Sequence, residues 1–264
     1  MPDLSAETIS RALSTRRLGR PAVFFEQTGS TNDAAHDLAR DGAPDGLLVV
    51  ADEQTAGRGR QDRSWWAPRG TCLLVSLVLR PALPLALAGQ LTMCLGLGAV
   101  EGISAETSAG AVLKWPNDLL LAGRKLGGML TELETAGGQL NYAVLGLGLN
   151  VNVSFDSFAA PGALVGSATS LMAETGREID RLALLVAILS RTEAWYERTL
   201  RGESPHAAWA QRLDTLNRRV TVSMIGRRLE GVATGVTPEG ALLVRDDGGT
   251  THTVWSGDVM AVRS

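Results

Sequence analysis

The run Thr71-Cys72-Leu73-Leu74-Val75-Ser76-Leu77-Val78-Leu79 constrains this chain most, because an almost unbroken apolar stretch of strand-forming residues reads as a buried strand. A different kind of segment leads into it. Gln54-Thr55-Ala56-Gly57-Arg58-Gly59-Arg60-Gln61-Asp62-Arg63-Ser64-Trp65 sets three arginines among glycines and ends on a tryptophan pair, Trp65-Trp66. Arginine offers a planar, permanently charged fork that matches phosphate or carboxylate oxygens. Gly57 and Gly59 lack the Cβ that would hold a ligand off the main chain. A bare Gly-Arg-Gly-Arg run also suits a solvated turn or an unspecific nucleic-acid contact. The tryptophan anchor and the buried strand behind it favour a loop mounted to grip an anion.

Composition fits such a chain without deciding its chemistry. With 264 residues, 45% of them hydrophobic, and a net charge of −3, it suits one sizeable domain with room for a small second one, and bulk charge gives no sign of a nucleic-acid protein. The longest apolar stretch, residues 83–100, contains Pro84, Gln90, Thr92 and the glycines Gly89, Gly96 and Gly98, which predicts a buried core helix rather than a membrane span. The first residues, Met1-Pro2-Asp3-Leu4-Ser5, lack the basic start and apolar run of a signal peptide, so a cytoplasmic protein is expected. Cys72 and Cys94 lie in apolar surroundings and read as buried thiols; His36, His206 and His252 are far apart and read as surface histidines rather than metal ligands.

Periodicity predicts a short helix over Asp3–Arg20, a helix from Ser30 or Thr31 through Arg40 that stops at Gly42, and a long helix from Asp180 to about Leu200 with Leu182, Leu185, Val186 and Leu189 toward the core. Strands are expected at 47–52, 71–80, 111–114, 119–121, 125–134 and 140–153, with Ala122-Gly123 as a hairpin turn. Beyond Asn217 the pattern changes to short strands at 220–222, 229–236, 241–245, 250–255 and 259–262, broken by Pro238-Glu239-Gly240 and Asp246-Asp247-Gly248-Gly249. The expectation is an α+β chain in which residues 1–217 form a mixed sheet with flanking helices and 218–264 a small β-barrel.

A second segment narrows the chemistry: Lys114-Trp115-Pro116-Asn117-Asp118, then Arg124-Lys125-Leu126-Gly127-Gly128. Together with the arginine loop, with Ser30-Thr31-Asn32 upstream and with Gly146-Leu147-Gly148-Leu149-Asn150 downstream, the chain from about residue 22 onward resembles the biotin protein ligases. The resemblance implies a class II synthetase-like catalytic domain followed by an SH3-like barrel. It implies ATP, biotin and Mg²⁺ as ligands, and a biotin carboxyl carrier domain as the protein partner. The segment before residue 22 is too brief for the DNA-binding module that some of these ligases carry, so neither DNA nor a membrane is an expected partner.

The implied chemistry explains the residue types. A free carboxylate does not acylate an amine at neutral pH, because its leaving group is oxide; ATP first converts it to an acyl-adenylate. That step needs charge neutralisation and positioning. By resemblance, Arg58, Arg60 and Arg63 grip the reacting carboxylate and phosphates while Gly57 and Gly59 let the loop close, and Lys114 and Lys125 reach the same centre. Ser30, Thr31, Asn32 and Gln54 match positions that hydrogen-bond biotin's ureido ring, and Gly127 and Gly128 bring backbone close to its bicycle. Adenine is expected in an apolar slot by Asn150 and the strand of Gly146 and Gly148. No metal ligand is assigned, since magnesium rides mainly on phosphates.

Three assignments stay open. Asp118 either orders metal and substrate or orients and deprotonates the acceptor lysine. Asn117 meets a substrate edge or closes an Asx turn. Trp65 and Trp115 either wall biotin's valeryl chain or fill core. Other functions remain in view as well: a lipoate or octanoate transferase of similar architecture, a non-catalytic biotin or nucleotide sensor, and a basic-loop nucleic-acid binder. The matched arginine loop and Lys-Trp-Pro-Asn-Asp turn favour biotin, and the presence of both lysines and all three arginines favours catalysis.

Overall fold

The fold is described from a computed structural model in which residues 4–61, 63–155, 161 and 164–261 are defined. Strands β1 (Ala22–Phe25), β2 (Leu48–Ala51), β3 (Cys72–Leu79), β4 (Val112–Lys114), β5 (Asp118–Leu121), β6 (Arg124–Ala136) and β7 (Gln139–Asn150) form one sheet in the order β1-β2-β3-β7-β6-β5-β4. Only β1 and β2 run parallel; the other neighbours are antiparallel, so the sheet is mixed. Ala122 and Gly123, both at positive φ, turn β5 into β6.

Strand β3 lies mid-sheet and is buried along its whole length. Because side chains alternate, Leu73, Val75, Leu77 and Leu79 enter the main core on one face. That face is covered by helices α3 (Gly89–Thr107) and α5 (Arg181–Leu200). The two helices pack closely because a Cβ on Gly98 would fall 2.0 Å from Thr192 Oγ1 and one on Gly102 2.7 Å from Ile188 Cα. The segment Leu85–Thr107 is long and apolar enough to cross a membrane, yet 72% of its most apolar window is buried inside the protein. Asp180 caps α5 by accepting from the N–H groups of Leu182 and Ala183.

The opposite face of β3 carries Cys72, Leu74, Ser76 and Val78. At one end Val78 packs under α2 (Thr31–Arg40) with Val49, Tyr142 and Val144; at the other, Cys72 and Leu74 meet Trp65, Trp66 and Phe155. Ser76 lies between these clusters, and the functional site opens above it.

Two expectations at the N-terminal end are corrected. The helix expected over Asp3–Arg20 covers only α1 (Ala6–Ala12), because the N–H groups of Arg16, Arg17 and Leu18 turn instead to the Glu193 carboxylate on α5, at 2.7–2.9 Å. Strand β1 has no counterpart in the sequence reading; four residues after Pro21 are too few for a periodic signal. The core helix begins at Gly89, not at residue 83, after a 3₁₀ turn over Leu85–Leu87.

After the short helices α4 (Leu171–Thr175) and α6 (His206–Gln211), strands β8 (Arg219–Met224), β9 (Arg227–Val236), β10 (Leu242–Arg245), β11 (Thr251–Val254) and β12 (Asp258–Ala261) make a five-stranded antiparallel sheet, ordered β11-β10-β9-β8-β12. This is the small SH3-like unit. It is tied to the turn after β4 by Trp115 Nε1 donating to the Gly240 carbonyl at 2.9 Å, and to α3 by Gln90 Nε2 donating to that of Pro238 at 3.2 Å.

Candidate active site

The arginine loop folds back on itself as a small hairpin. Trp65 N donates to the Gly57 carbonyl at 2.8 Å and Gly59 N to that of Arg63 at 2.6 Å, with Arg58 facing Ser64. Gly57 is required by this closure, since a Cβ there would sit 2.7 Å from the Trp65 carbonyl oxygen. The three guanidinium groups point apart. Arg58 pairs with Asp33 at 2.6 Å and Glu132 at 3.1 Å; Arg60 donates to Asn117 Oδ1 at 3.1 Å and Ser256 Oγ at 3.0 Å; Arg63 pairs with Asp258. Partial burial pulls Arg60 below the usual arginine pKa, and the group stays charged.

Several cavities border the loop, one of about 560 Å³ along residues 58–61 and Trp255, and two others hold the residues singled out by sequence. The smaller, about 50 Å³, is lined by Ser30, Thr31, Asn32, Gln54, Gly128, Gly146 and Gly148. The larger, about 410 Å³, is lined by Arg60, Arg63, Lys114, Asn117, Asp118 and Asn150, with Trp66, Phe155, Val259 and Met260 supplying apolar surface. Gly59, Trp65 and Lys125 border both.

Register explains the small cavity. Ser76 and Leu130 flank Gly146 across three strands, and Leu74 and Gly128 flank Gly148 in the next row but one. A Cβ on Gly146 would lie 2.3 Å from Asn32 Oδ1, and one on Gly148 would lie 2.7 Å from Trp65 Cε2. The floor is therefore bare backbone, against which Asn32 and the Trp65 indole rest. Trp65 Nε1 is buried and has no hydrogen-bond partner among the described residues. At about 50 Å³ the cavity has room for roughly four waters, with Trp65 closing one side of it.

The β4–β5 hairpin organises the charges of the larger cavity. Lys114 and Asp118 stand directly opposite each other, and Asp118 faces Gly128 on the next strand. The Asp118 carboxylate accepts from Lys125 Nζ at 2.7 Å, while Lys114 has no ion-pair partner among the described residues. Of the larger cavity's described carboxylates, Asp118 is held by Lys125 and Asp258 by Arg63, and no cluster of metal-ligating side chains occurs among the described residues. Such a lining suits a polyanion carrying its own metal better than a protein-built metal cage.

Several sequence expectations change here. Arg58 faces Asp33 and Glu132 beside the small cavity and does not line the larger one with Arg60 and Arg63. Gly146 and Gly148 belong to the small cavity, apart from Asn150, because their missing side chains make room for Asn32 and Trp65. Gly127 packs against the Gly148 carbonyl and lines neither cavity, unlike Gly128. Asn117 is a clamp: its Nδ2 donates to the Met129 carbonyl at 2.6 Å and its Oδ1 accepts from Arg60. Trp115 is 1% exposed and packs in the core while one side of it lines the larger cavity, and Trp65 walls both cavities. The histidines are half-buried rather than on open surface: His36 meets Tyr142, His206 the Val236 carbonyl and His252 Asp246. Both cysteines are buried, with burial pushing Cys72 up to about 12 and Cys94 up to about 11.

Ser76, Glu132, Phe155, Ser256 and Asp258 are site residues that the sequence reading did not single out, and Trp66, read there as the loop's anchor, also lines the larger cavity. Only Ser76 left a usable signal, as the one hydroxyl in the otherwise apolar core of its strand.

Among known proteins, residues 24–150 match the biotin/lipoate A/B protein ligase family and residues 215–260 the biotin protein ligase C-terminal domain. The bifunctional ligase/repressor BirA of Bacillus spizizenii is 35% identical over 97% of this chain and 78% of its own length. The chain belongs to the biotin protein ligase family. A biotin–[acetyl-CoA-carboxylase] ligase from Mycobacterium tuberculosis is 34% identical over 90% of this chain and 87% of its own. The Aquifex aeolicus biotin protein ligase, solved in complex with biotin and ATP, superposes with a TM-score of 0.77 at 26% identity, covering 92% of this chain and 99% of that one.

Proposed function

We propose that this cleft condenses biotin with ATP to biotinyl-5′-adenylate and transfers the biotinyl group to one lysine of a carboxyl-carrier domain. The observation that carries this reading is the wall shared by the two cavities, formed by Gly59, Trp65 and Lys125. A ligand whose polar ring fills the small cavity sends its far end past Lys125 into the cation-lined larger one. Ser30, Thr31, Asn32 and Gln54 supply donors and acceptors for the ureido ring, and Trp65 covers the chain that follows.

In the first step a carboxylate oxygen attacks the α-phosphorus of ATP and the bond to pyrophosphate breaks. Arg60, Arg63, Lys114 and Lys125 offset the charge that gathers there; one such preorganised donor is worth about 3 kcal/mol. Trp66, Phe155 and Asn150 offer the slot for adenine. In the second step the neutral acceptor amine attacks the acyl carbon, AMP departs, and Asp118 takes the amine's proton. Magnesium arrives on the phosphates as part of the substrate.

We divide the chain at residues 1–217 and 218–264, with the second unit lending Ser256 and Asp258 to hold Arg60 and Arg63. The relatives' names make a carrier domain of acetyl-CoA carboxylase the acceptor to try first, in the cytoplasm. Biotin-dependent exchange of labelled pyrophosphate into ATP tests the first step. Exchange with biotin but not lipoate is expected; exchange with lipoate alone, or with neither, refutes the reading.

A further inference from the structure

Lys114 ends β4, the outermost strand of the larger sheet on that side, and has no ion-pair partner among the described residues. Main chain therefore sets where its ammonium group stands in the larger cavity. On the inner side Lys114 faces Asp118 across the β4–β5 hairpin. Its two neighbours, Leu113 and Trp115, turn their main-chain groups the other way, to the open edge.

The segment that leads from α6 into β8, and so into the SH3-like unit, receives them there. Leu113 N donates to the Arg212 carbonyl at 2.9 Å and Asp214 N to the Leu113 carbonyl at 2.8 Å, a parallel bridge between Leu113 and Leu213. Continued as a ladder, the pairing would bring the Trp115 N–H to the Asp214 carbonyl. Instead Thr215 Oγ1 accepts from Trp115 N at 2.9 Å. Both of these residues are buried, and Thr215 lines neither cavity of the candidate site.

We propose that Thr215 is a positioning residue for adenylate formation: its hydroxyl closes the outer edge of β4 beside Lys114 and so fixes where the ammonium group meets the reacting phosphate. The proposal rests on the biotin ligase reading and adds to it a residue that touches neither substrate. Leu113 is held by two main-chain bonds, which a side-chain substitution leaves in place; the Trp115 N–H has only the Thr215 hydroxyl among the described residues. Valine at position 215 keeps the shape and removes the acceptor, so a buried donor goes unmet. The Trp115 main chain then shifts to relieve it, and Lys114, the next residue, shifts with it. A misplacement of about 1 Å at a reacting centre can cost 10²-fold in rate. The small cavity is built from α2, the arginine loop, β6 and β7, without β4 or the segment 212–215, so biotin binding is spared.

The test compares Thr215→Val and Thr215→Ser in biotin-dependent pyrophosphate exchange, each alone and combined with Lys114→Ala, while calorimetry follows biotin binding. Thr215→Val should lower the maximal exchange rate about 10- to 100-fold and leave biotin affinity within about twofold of wild type. Thr215→Ser, which restores the acceptor, should recover most of the rate. In the Lys114→Ala background Thr215→Val should cost less than about threefold more, because the lysine through which it acts is gone. A Thr215→Val rate within twofold of wild type overturns the proposal, as does an undiminished penalty in the Lys114→Ala background or a serine variant as slow as the valine one. Biotin binding weakened as much as exchange would mark a general packing defect and overturn it too. If Thr215→Val gives no cooperative melt, Thr215→Cys, a weak acceptor of similar size, carries the same comparison. A wild-type chain without biotin-dependent exchange overturns the functional reading itself, and this proposal with it.

Discussion

Asp118→Asn separates the two chemical steps. The carboxylate sits 2.7 Å from Lys125 Nζ with the two side chains 23% and 38% exposed, and a pair this open to water contributes about 1 kcal/mol or less to folding. The variant should therefore melt close to wild type. Its kinetic effect is of another size. A lysine amine of pKa about 10.4 is neutral at pH 7 in roughly one molecule in 2,500, and a positioned base is worth about 10²- to 10⁴-fold. Asparagine keeps the size and one acceptor oxygen but takes no proton. Biotin-dependent pyrophosphate exchange should persist, while transfer from preformed biotinyl-adenylate to a carrier domain slows by at least a hundredfold. Raising the pH should restore transfer about tenfold per unit below the amine's pKa. If exchange collapses and transfer survives, Asp118 serves to anchor Lys125 or to place the metal, and its assignment to the amine is wrong.

Other expectations follow from the same geometry. Lys114→Ala removes from the larger cavity a cation that has no ion-pair partner among the described residues and should cost roughly a hundredfold in pyrophosphate exchange; exchange within twofold of wild type contradicts its placement at the reacting centre. Gly148→Ala puts a methyl 2.7 Å from Trp65 Cε2, so calorimetry should detect weaker biotin binding with little change in the ATP affinity; unaltered biotin binding would show that the indole does not roof the site. Because each loop arginine has a polar partner, repulsion alone does not set the loop free: Asp258→Asn should speed trypsin cleavage after Arg63, and biotin with ATP should slow it again. Glu193→Gln leaves one acceptor oxygen for three backbone N–H groups and should lower stability by about 2 kcal/mol in urea unfolding, with a loss below about 0.5 kcal/mol counting against this anchor.

What the sequence made legible depends on how local the determinant is. The helix after Asp180 declares itself through its cap and its apolar spacing, and the strand pairs around Ala122-Gly123 through a turn that needs two positive φ values. The first helix is misjudged in length because Glu193, distant in sequence, competes for the backbone of residues 16–18. The site divides the same way. Arginine, lysine and Lys-Trp-Pro-Asn-Asp motifs are contiguous and readable, and they do converge on one cleft. The side chains that hold them, Glu132 for Arg58, Asp258 for Arg63 and Ser76 for Thr31 and Asn32, are single polar residues on other strands. Only Ser76, a lone hydroxyl in an apolar strand, is marked by its own neighbourhood; Glu132 and Asp258 are not. The division of labour among the glycines is likewise a matter of register, since Gly146 and Gly148 acquire their roles only by lying beside Ser76 and Leu74.

The central claim is tested most directly by incubating the protein with ATP, magnesium, biotin and a biotin carboxyl-carrier domain and weighing the carrier afterwards. The account predicts a carrier heavier by one biotinyl amide, located on a single lysine, formed only when ATP and biotin are both present and lost with Lys114→Ala. A carrier that keeps its original mass while the folded protein binds biotin would contradict it, and would make the cleft a sensor rather than a ligase.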